Sequence, residues 1–191
     1  MKTMEYKIPS GKKLRVAISG KSGCGNTTVS ALLSRRLGIR MINFTFRQLA
    51  EEKGMTLAQV IEAAKTSDEF DIEVDTRQVE LAREDSCVLG SRLAIWMLKE
   101  ADAKIYLVTG DKVRAKRIQS REGGALEEIA AFTRMRDGED TRRYKKLYGI
   151  DNDDFRATAD LVIDVSEVCP EEIVGTILSE LERRNLVEKT G

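Results

Sequence analysis

The chain of 191 residues contains no histidine. This absence excludes a hydrolase built on a histidine base, and it excludes a metal site with histidine ligands. There are only three cysteines, Cys24, Cys87 and Cys169, and their wide spacing and odd number fit neither a metal motif nor a disulfide framework. We therefore expect a reduced, cytoplasmic protein.

Net charge and long apolar runs are also missing. The 32 basic and 32 acidic side chains cancel, so no overall field draws the protein to nucleic acid or to a membrane. No apolar run approaches the 18 residues of a transmembrane helix, and the start, MKTMEYKIPSGKK, lacks the apolar core of a signal peptide. The sequence predicts neither nucleic acid nor a membrane as a partner.

The zero net charge conceals an uneven distribution. Residues 51–85 carry eleven acids and four bases, whereas residues 111–149 carry eleven bases and seven acids. Many of these charges are typical of solvated helix faces. The clustered arginines of the second segment call for a further explanation.

Short apolar segments alternate with helical stretches along the chain. Five of them are predicted as strands: 14–20, 39–43, 86–91, 104–110 and 160–166. Strands that alternate with helices in this way predict an α/β fold with a five-stranded parallel sheet covered on both faces. We expect one domain over residues 14–188, with no internal repeat, preceded by a flexible extension over residues 1–13.

Several residues mark predicted helix ends. Gly38 is suited to end the first helix, and Pro170 to open the last one. The segment 46–84 has a helical composition, with a break at Gly54, a cap at Thr56 and a further cap at Ser67 or Asp68. We therefore expect three helices in this segment.

The first predicted strand runs into AISGKSGCGNTTVSALL, which resembles the phosphate-binding pattern G-x-x-x-x-G-K-[ST] with one residue exchanged. Gly20, Gly25 and Thr27 match the pattern, but Asn26 stands where the lysine belongs. The backbone N–H groups and the start of the following helix can still bind an anion. Lys21 could replace the missing charge, and the Asn26 amide could donate to phosphate oxygens. The alternative is a tight strand-to-helix turn that binds nothing.

The chain resembles the nucleoside monophosphate kinases, and among them the short cytidylate kinases of the archaeal and spirochaete-like type. The resemblance covers residues 14 to 186 or so. It rests on six segments: ISGKSGCGNTTVSALLSRRLG, NFTFRQLAEEKGMTLAQV, DIEVDTRQVELA, VLGSRLAIWMLKEADAKIYLV, RAKRIQSREGG and RMRDGEDTRRYKKLYGID.

That resemblance implies a P-loop NTPase-type core with two small helical segments. Residues 46–84 would hold the monophosphate acceptor, and residues 112–148 would form a lid over ATP. It also implies Mg²⁺ held with the help of Thr27, small nucleotides as the binding partners, and a monomer or weak dimer.

The arginines fit this chemistry, because phosphoryl transfer to a phosphate needs charge stabilisation and no general base. The resemblance implies the following roles. Binding of ATP falls to Gly20, Lys21, Ser22, Gly23, Cys24, Gly25, Asn26, Thr27, Thr28 and Arg117. Binding of the acceptor falls to Arg47, Asp71, Asp75, Arg77, Arg92, Arg136, Asp140 and Arg143. Catalysis falls to Lys21, Arg121, Arg136 and Arg143.

Within the acceptor set, Arg47 and Arg92 are expected at the phosphate, and Asp71, Asp75 and Arg77 at the base. Arg136, Asp140 and Arg143 are spaced four and three apart, on one helical face, and would reach the acceptor when the lid closes.

The chain departs from the family at two positions. Asn26 replaces the loop lysine, and Gly90 stands where many members carry an acid that orients a water bound to Mg²⁺. Thr109 and Asp111 could compensate in part. We interpret the sequence as a kinase that phosphorylates CMP or dCMP. A nucleotide-binding protein without turnover and a kinase for another small acceptor are the alternatives, and the retained arginines favour the first.

Overall fold

A computed structural model describes residues 6–190 and shows a central parallel sheet with helices on both faces. The strands are β1 (Tyr6–Lys7), β2 (Arg15–Gly20), β3 (Arg40–Ile42), β4 (Cys87–Gly90), β5 (Ala103–Val108), β6 (Leu161–Asp164) and β7 (Glu188–Lys189). Five of them form the parallel sheet in the order β3-β4-β2-β5-β6. In its register Ile18 of β2 lies between Gly90 of β4 and Ile105 of β5. The predicted fold class is confirmed.

The helices are α1 (Asn26–Leu37), α2 (Phe46–Lys53), α3 (Leu57–Ala64), α4 (Glu69–Glu84), α5 (Ala94–Met97), α6 (Asp111–Glu122), α7 (Leu126–Tyr148) and α8 (Pro170–Arg183). Their ends follow local chemistry. Gly38 adopts the left-handed conformation (φ 65°) that ends α1, and Thr56 forms a capping box with Gln59 at the start of α3. Pro170 occupies the first turn of α8. Within residues 6–190, no helix combines the length and apolar character needed to cross a bilayer.

The two faces of the sheet bury separate cores. Val16 and Ile18 of β2 point to one face, which α1 and α8 cover, and Ala17 between them points to the face covered by α4 and α5. All three side chains are fully buried, as expected for a central strand of a parallel sheet. A third apolar cluster lies among α2, α3 and α4 around Leu49. The segment 46–84 therefore has a small core of its own.

The first and last strands of the described chain lie beside each other, which the sequence did not reveal. β1 pairs antiparallel with β7, and the Tyr6 side chain is 8% exposed. Part of the segment predicted as a flexible extension therefore contacts the domain, and its first five residues lie outside the described part of the chain. The short helix α5 and a 3₁₀ turn at Phe155–Ala157 were not predicted either. Elements of two to four residues are too short to show a hydrophobic period.

Candidate active site

A cavity of about 1190 Å³ opens at the carboxyl edge of the sheet. Its wall includes the loop between β2 and α1, the inner face of α4, and side chains from α6 and α7. In open α/β sheets, ligands bind at this edge. The cavity brings together most of the residues that the sequence singled out: Lys21, Ser22, Gly23, Cys24, Gly25, Asn26, Thr27, Thr28, Asp71, Asp75, Arg92, Arg117, Arg121, Arg136, Asp140 and Arg143.

The phosphate-binding loop, residues 20–27, is shaped by glycines. Gly23 and Gly25 have φ of 84° and 97°, in the left-handed region that side chains disfavour. A Cβ on Gly23 would also lie 3.0 Å from the backbone of Arg114. The first turn of α1 has neither a side-chain cap nor an acidic residue. Its N–H groups are thus free to bind an anion.

Asn26 stabilises the conformation of this loop through a hydrogen bond to its first residue. Its Nδ2 donates a 2.6 Å hydrogen bond to the carbonyl of Gly20, at the end of β2. Its Oδ1 is buried without a hydrogen-bond partner. The amide therefore holds the loop against the strand, which differs from the task of a lysine that reaches a phosphate.

Lys21 carries the positive charge nearest in sequence to the missing lysine. Its Nζ lies 2.6 Å from Oδ1 of Asp153, and the two side chains are 30% and 62% exposed. An exposed pair of this kind contributes about 0–1 kcal/mol. A phosphate could therefore replace Asp153 at little cost.

Arg114 of α6, which the sequence analysis did not select, connects the phosphate-binding loop to α6 and α7. Its side chain is 3% exposed. Its guanidinium donates to the Ser22 carbonyl at 3.1 Å, to Asp111 at 2.8 Å and to Asp137 at 2.6 Å. One buried cation thus ties the phosphate-binding loop to α6 and α7.

Four side chains of alternating charge, from the segment after β4 and from α7 and α4, form consecutive ion pairs in the cavity. Arg92, which follows β4, pairs with Asp140 of α7. Asp140 also pairs with Arg143 at 3.1 Å, and Arg143 contacts Asp71 of α4 at 2.8 Å. Burial raises the pKa of Asp71, although the charge of Arg143 opposes this effect. Two arginines are thus held in place by two carboxylates.

Arg136 lies one helical turn before Asp140. Within residues 6–190 its side chain forms no ion pair or hydrogen bond, although it lines the cavity. Partial burial and the positive charge of Arg92 lower the pKa of Arg136. An anion bound between these two guanidinium groups would relieve their repulsion.

Asp75 faces the cavity from α4. Its Oδ2 accepts a 2.9 Å hydrogen bond from the Tyr148 hydroxyl, at the end of α7. Burial raises the pKa of Asp75 to about 6, against the opposing effects of Tyr148 and Arg143. Burial and the Asp75 carboxylate raise the pKa of Tyr148.

Other selected residues lie elsewhere or have other partners. Arg47 is exposed and does not line the cavity, and Arg77 pairs with Glu52 and Glu80 on the outer side of α4. Arg117 donates to the carbonyl of Val165, and Arg121 pairs with Glu122. Thr109 bonds to Ser166, and Asp111 to Arg114.

The structure explains why position 90 carries no acid. A Cβ on Gly90 would lie 2.4 Å from Oγ and 2.9 Å from Cβ of Ser30. Ser30 is fully buried in α1, and its hydroxyl has no hydrogen-bond partner among the residues that the structure describes. No side chain fits at position 90 while Ser30 keeps its place.

Two residues of the cavity could have been found from the sequence. Gln78 follows Asp71 and Asp75 at helical spacing, so it shares their face of α4. Lys146 follows Arg143 in α7 and pairs with Asp68. Nothing in the sequence separates Arg114 from its many basic neighbours.

The model of the cytidylate kinase-like family matches residues 15–167 of the chain. Cytidylate kinase 2 of Borreliella burgdorferi is 42% identical over 176 residues, which are 91% of this chain and 98% of that protein. The cytidylate kinase of Pyrococcus horikoshii is 38% identical over 181 residues, or 94% of each chain.

Solved structures of lower identity share the fold. The shikimate kinase of Acinetobacter baumannii, solved with shikimate, aligns with a TM-score of 0.64 at 19% identity, over 92% of this chain and 96% of that one. The deoxyadenosine kinase of M. mycoides, solved with dATP, aligns with a TM-score of 0.54 at 18% identity, over 88% of this chain and all of that one.

Proposed function

Because the chain belongs to the cytidylate kinase-like family, we propose that it transfers the γ-phosphoryl group of ATP to CMP or dCMP. The relatives support the reaction class, a nucleoside monophosphate kinase. The observation that carries the acceptor side is the group of three guanidiniums, from Arg92, Arg136 and Arg143, in a cavity that the phosphate-binding loop also lines.

At the donor end, the backbone of residues 20–27 and the start of α1 bind the phosphates of ATP. The N–H groups there supply hydrogen bonds without a lysine, and Lys21 adds a charge once Asp153 is displaced. Arg117 and Arg121 line the same side of the cavity and serve the adenine and the transferred phosphoryl group.

The residues present fit a Mg²⁺ ion that is held mainly by nucleotide phosphates and water. Thr27 is exposed at the start of α1 and lines the cavity, so its hydroxyl is available to the ion. Gly90 offers no carboxylate, and the described residues contain no cluster of three or more potential ligands. Mg²⁺ keeps several waters and commonly binds through substrate phosphates. When bound, it would neutralise the charge that develops on the transferring group.

At the acceptor end, Arg92, Arg136 and Arg143 hold the monophosphate. Their planar guanidiniums bind phosphate oxygens in pairs and stay charged at any working pH. The attacking oxygen is already ionised, so the lack of histidine removes nothing the reaction needs. Asp140 keeps two of these arginines in position.

The base of the acceptor lies against α4, beside Asp71 and Asp75. Both carboxylates line the cavity and accept hydrogen bonds, which suits the amino group of cytosine. Arg77 points to the other side of the helix, so its role at the base stays a prediction. The same holds for Arg47, which would have to move to reach the phosphate.

A coupled assay of ADP formation tests this function, with ATP, Mg²⁺ and each of CMP, dCMP, UMP, AMP and GMP. We expect turnover with CMP or dCMP above the other acceptors. Arg136→Ala and Arg143→Ala should each lower kcat at saturating ATP at least about tenfold, or roughly 1.4 kcal/mol of transition-state stabilisation.

Arg83→Ala is the matched control, because Arg83 is half-exposed, pairs with Glu100 and does not line the cavity, and it should keep kcat. Unchanged kinetics in both Arg136→Ala and Arg143→Ala would refute the phosphate clamp. Absence of turnover with all five acceptors would refute the function itself.

A further inference from the structure

Gln78 is a buried polar side chain that makes no hydrogen bond within residues 6–190. It lies on α4, is 4% exposed and lines the cavity. Its Oε1 is buried without a hydrogen-bond partner. A buried acceptor that lacks a donor destabilises the fold, so a ligand that supplies the donor gains affinity by binding here.

Asp75 presents a second acceptor beside it. Residues three apart on a helix have Cβ atoms about 5–6 Å apart and share a face. Oδ2 of Asp75 accepts from Tyr148, but its other oxygen has no donor within residues 6–190. The cavity wall thus offers two adjacent oxygens, one from a carboxylate and one from an amide, that both lack a hydrogen.

An exocyclic amino group matches this pair of oxygens. It carries two N–H bonds on one nitrogen, and each can be donated to a separate acceptor. A carbonyl oxygen in the same place would face the Asp75 carboxylate with no hydrogen between the two oxygens, even if the Gln78 amide turned to donate through its Nε2. The pair therefore favours cytosine, which has an amino group at C4, over uracil, which has a carbonyl there.

We propose that Gln78 is a specificity-determining residue, which together with Asp75 selects acceptors with an amino group on the base over those with a carbonyl. This inference rests on the proposed function, because it assigns the base of the monophosphate to the α4 wall. Arg77, the neighbouring residue, pairs with Glu52 and Glu80 and does not line the cavity.

The test compares kcat/KM for CMP and UMP in the unmodified protein and in Gln78→Met, which keeps the size of the side chain and removes its hydrogen-bonding groups. We expect the unmodified protein to prefer CMP. In Gln78→Met the CMP/UMP ratio should fall at least about tenfold, mainly through a loss with CMP, because a mismatched buried hydrogen bond is worth that much discrimination.

Two further variants separate recognition from support of the fold. Gln78→Glu retains an acceptor oxygen and should keep the preference for CMP. Arg83→Met changes an exposed residue of the same helix that does not line the cavity, and it should leave the ratio unaltered. An unchanged ratio in Gln78→Met would overturn the proposal, and so would an equal loss with both acceptors or a wild-type preference for UMP.

Dissociation constants for CMP and UMP, measured by calorimetry in the same four proteins, keep the inference separate from turnover. If the protein phosphorylates nothing, the proposed function fails. In that case, a preference for binding CMP that is lost in Gln78→Met would still support recognition of the amino group by Gln78 and Asp75. Equal affinities for CMP and UMP in the unmodified protein would refute it.

Discussion

At the residue scale, Asp75 shows how a site residue affects the stability of the whole chain. Its carboxylate faces Tyr148, Arg143, Asp71 and Asp140, and burial raises its pKa to about 6 from an ordinary value of 3.8. Below pH 3.8 the carboxyl is protonated in both the folded and the unfolded chain. As the pH rises towards 6 the unfolded chain ionises first, so the fold loses stability over this window.

Asp75→Asn should therefore stabilise the protein in a pH-dependent way. The asparagine cannot ionise, and its carbonyl oxygen can still accept the Tyr148 hydrogen bond. We expect the free energy of unfolding of the variant to exceed that of the unmodified protein by about 1–3 kcal/mol at pH 7.5, because each pKa unit is worth about 1.4 kcal/mol. The excess should largely vanish at pH 4.

Urea unfolding at pH 4, 6 and 7.5 measures this difference. Glu73→Gln is the control, since Glu73 lies on the same helix but is half-exposed. A constant difference between Asp75→Asn and the unmodified protein at the three pH values would refute the titration.

Lys21 gives a second prediction at this scale. If it supplies the charge that the loop lysine would have supplied, Lys21→Ala should lower kcat/KM for ATP at least about tenfold without a matching loss of stability. Asp153→Asn removes only the competing partner, so the KM for ATP should stay equal or fall. Normal kcat and KM for ATP in Lys21→Ala would mean that the backbone amides and the α6 arginines suffice.

At the element scale, α7 is attached to the rest of the chain chiefly by polar contacts. Its buried side chains are Thr133, Asp140 and Tyr144, and its large apolar residues Phe132 and Met135 are more than half exposed. Polar pairs that link it to the rest of the described chain include Asp137–Arg114, Asp140–Arg92, Thr141–Asn152, Arg143–Asp71, Lys146–Asp68 and Tyr148–Asp75.

The link through Arg114 can be tested with two aspartates. Asp137 is 14% exposed and belongs to α7, whereas Asp111 is 60% exposed and belongs to the same helix as Arg114. Asp137→Asn leaves a buried guanidinium with a weaker partner on α7, so it should lower kcat several-fold and cost about 1–3 kcal/mol of stability. Asp111→Asn should have smaller effects on both. Equal effects in kinetics and urea unfolding would refute the coupling.

The elements show what the sequence could and could not predict. The five strands and the caps at Gly38, Thr56 and Pro170 depend on local chemistry, so they were predictable. The pairing of β1 with β7 depends on two chain ends that meet only in the folded domain. Which residues of α4 face inwards was predictable only in part. Its buried positions Val74, Gln78 and Ala82 repeat every four residues, which places Gln78 inside and Arg77 outside.

Residues of the site were predictable where they fall in a motif that the resemblance supplied. They were less predictable where their role depends on which residues they contact in the fold. The arginines of the cavity fall within such patterns. Arg114 could not be selected, because only the fold reveals that it is buried between the loop and α7. The engagement of Asn26 with Gly20 likewise depends on the exact path of the loop.

At the scale of the whole molecule, the polar attachment of α7, which makes up most of residues 112–148, predicts how the protein responds to its substrates. Ion pairs can be exchanged for contacts to phosphate, whereas a buried apolar contact has no such alternative. We therefore expect this segment to open readily without ligand and to close when two nucleotides supply negative charge.

Hydrogen exchange measures this response. A bisubstrate analogue that joins adenosine and cytidine through phosphates should slow exchange strongly in residues 114–145. The central strand β2 is buried from its second residue, Val16, to its end and should change little. Exchange in residues 114–145 that is already slow without ligand, and that the analogue leaves unaltered, would refute the assignment of this segment as a lid.

Because Gly90 lies against Ser30, substitutions at these two positions can be made without a clash in only one order. Gly90→Asp alone would force a side chain into Ser30, and Ser30→Ala would not relieve the clash, because the Cβ atoms would still be 2.9 Å apart. Ser30→Gly would make room at a cost of about 1 kcal/mol in the helix. An acid at the end of β4 can therefore evolve without a clash only after residue 30 has become glycine. A descendant that acquires the two changes in the reverse order passes through a destabilised intermediate.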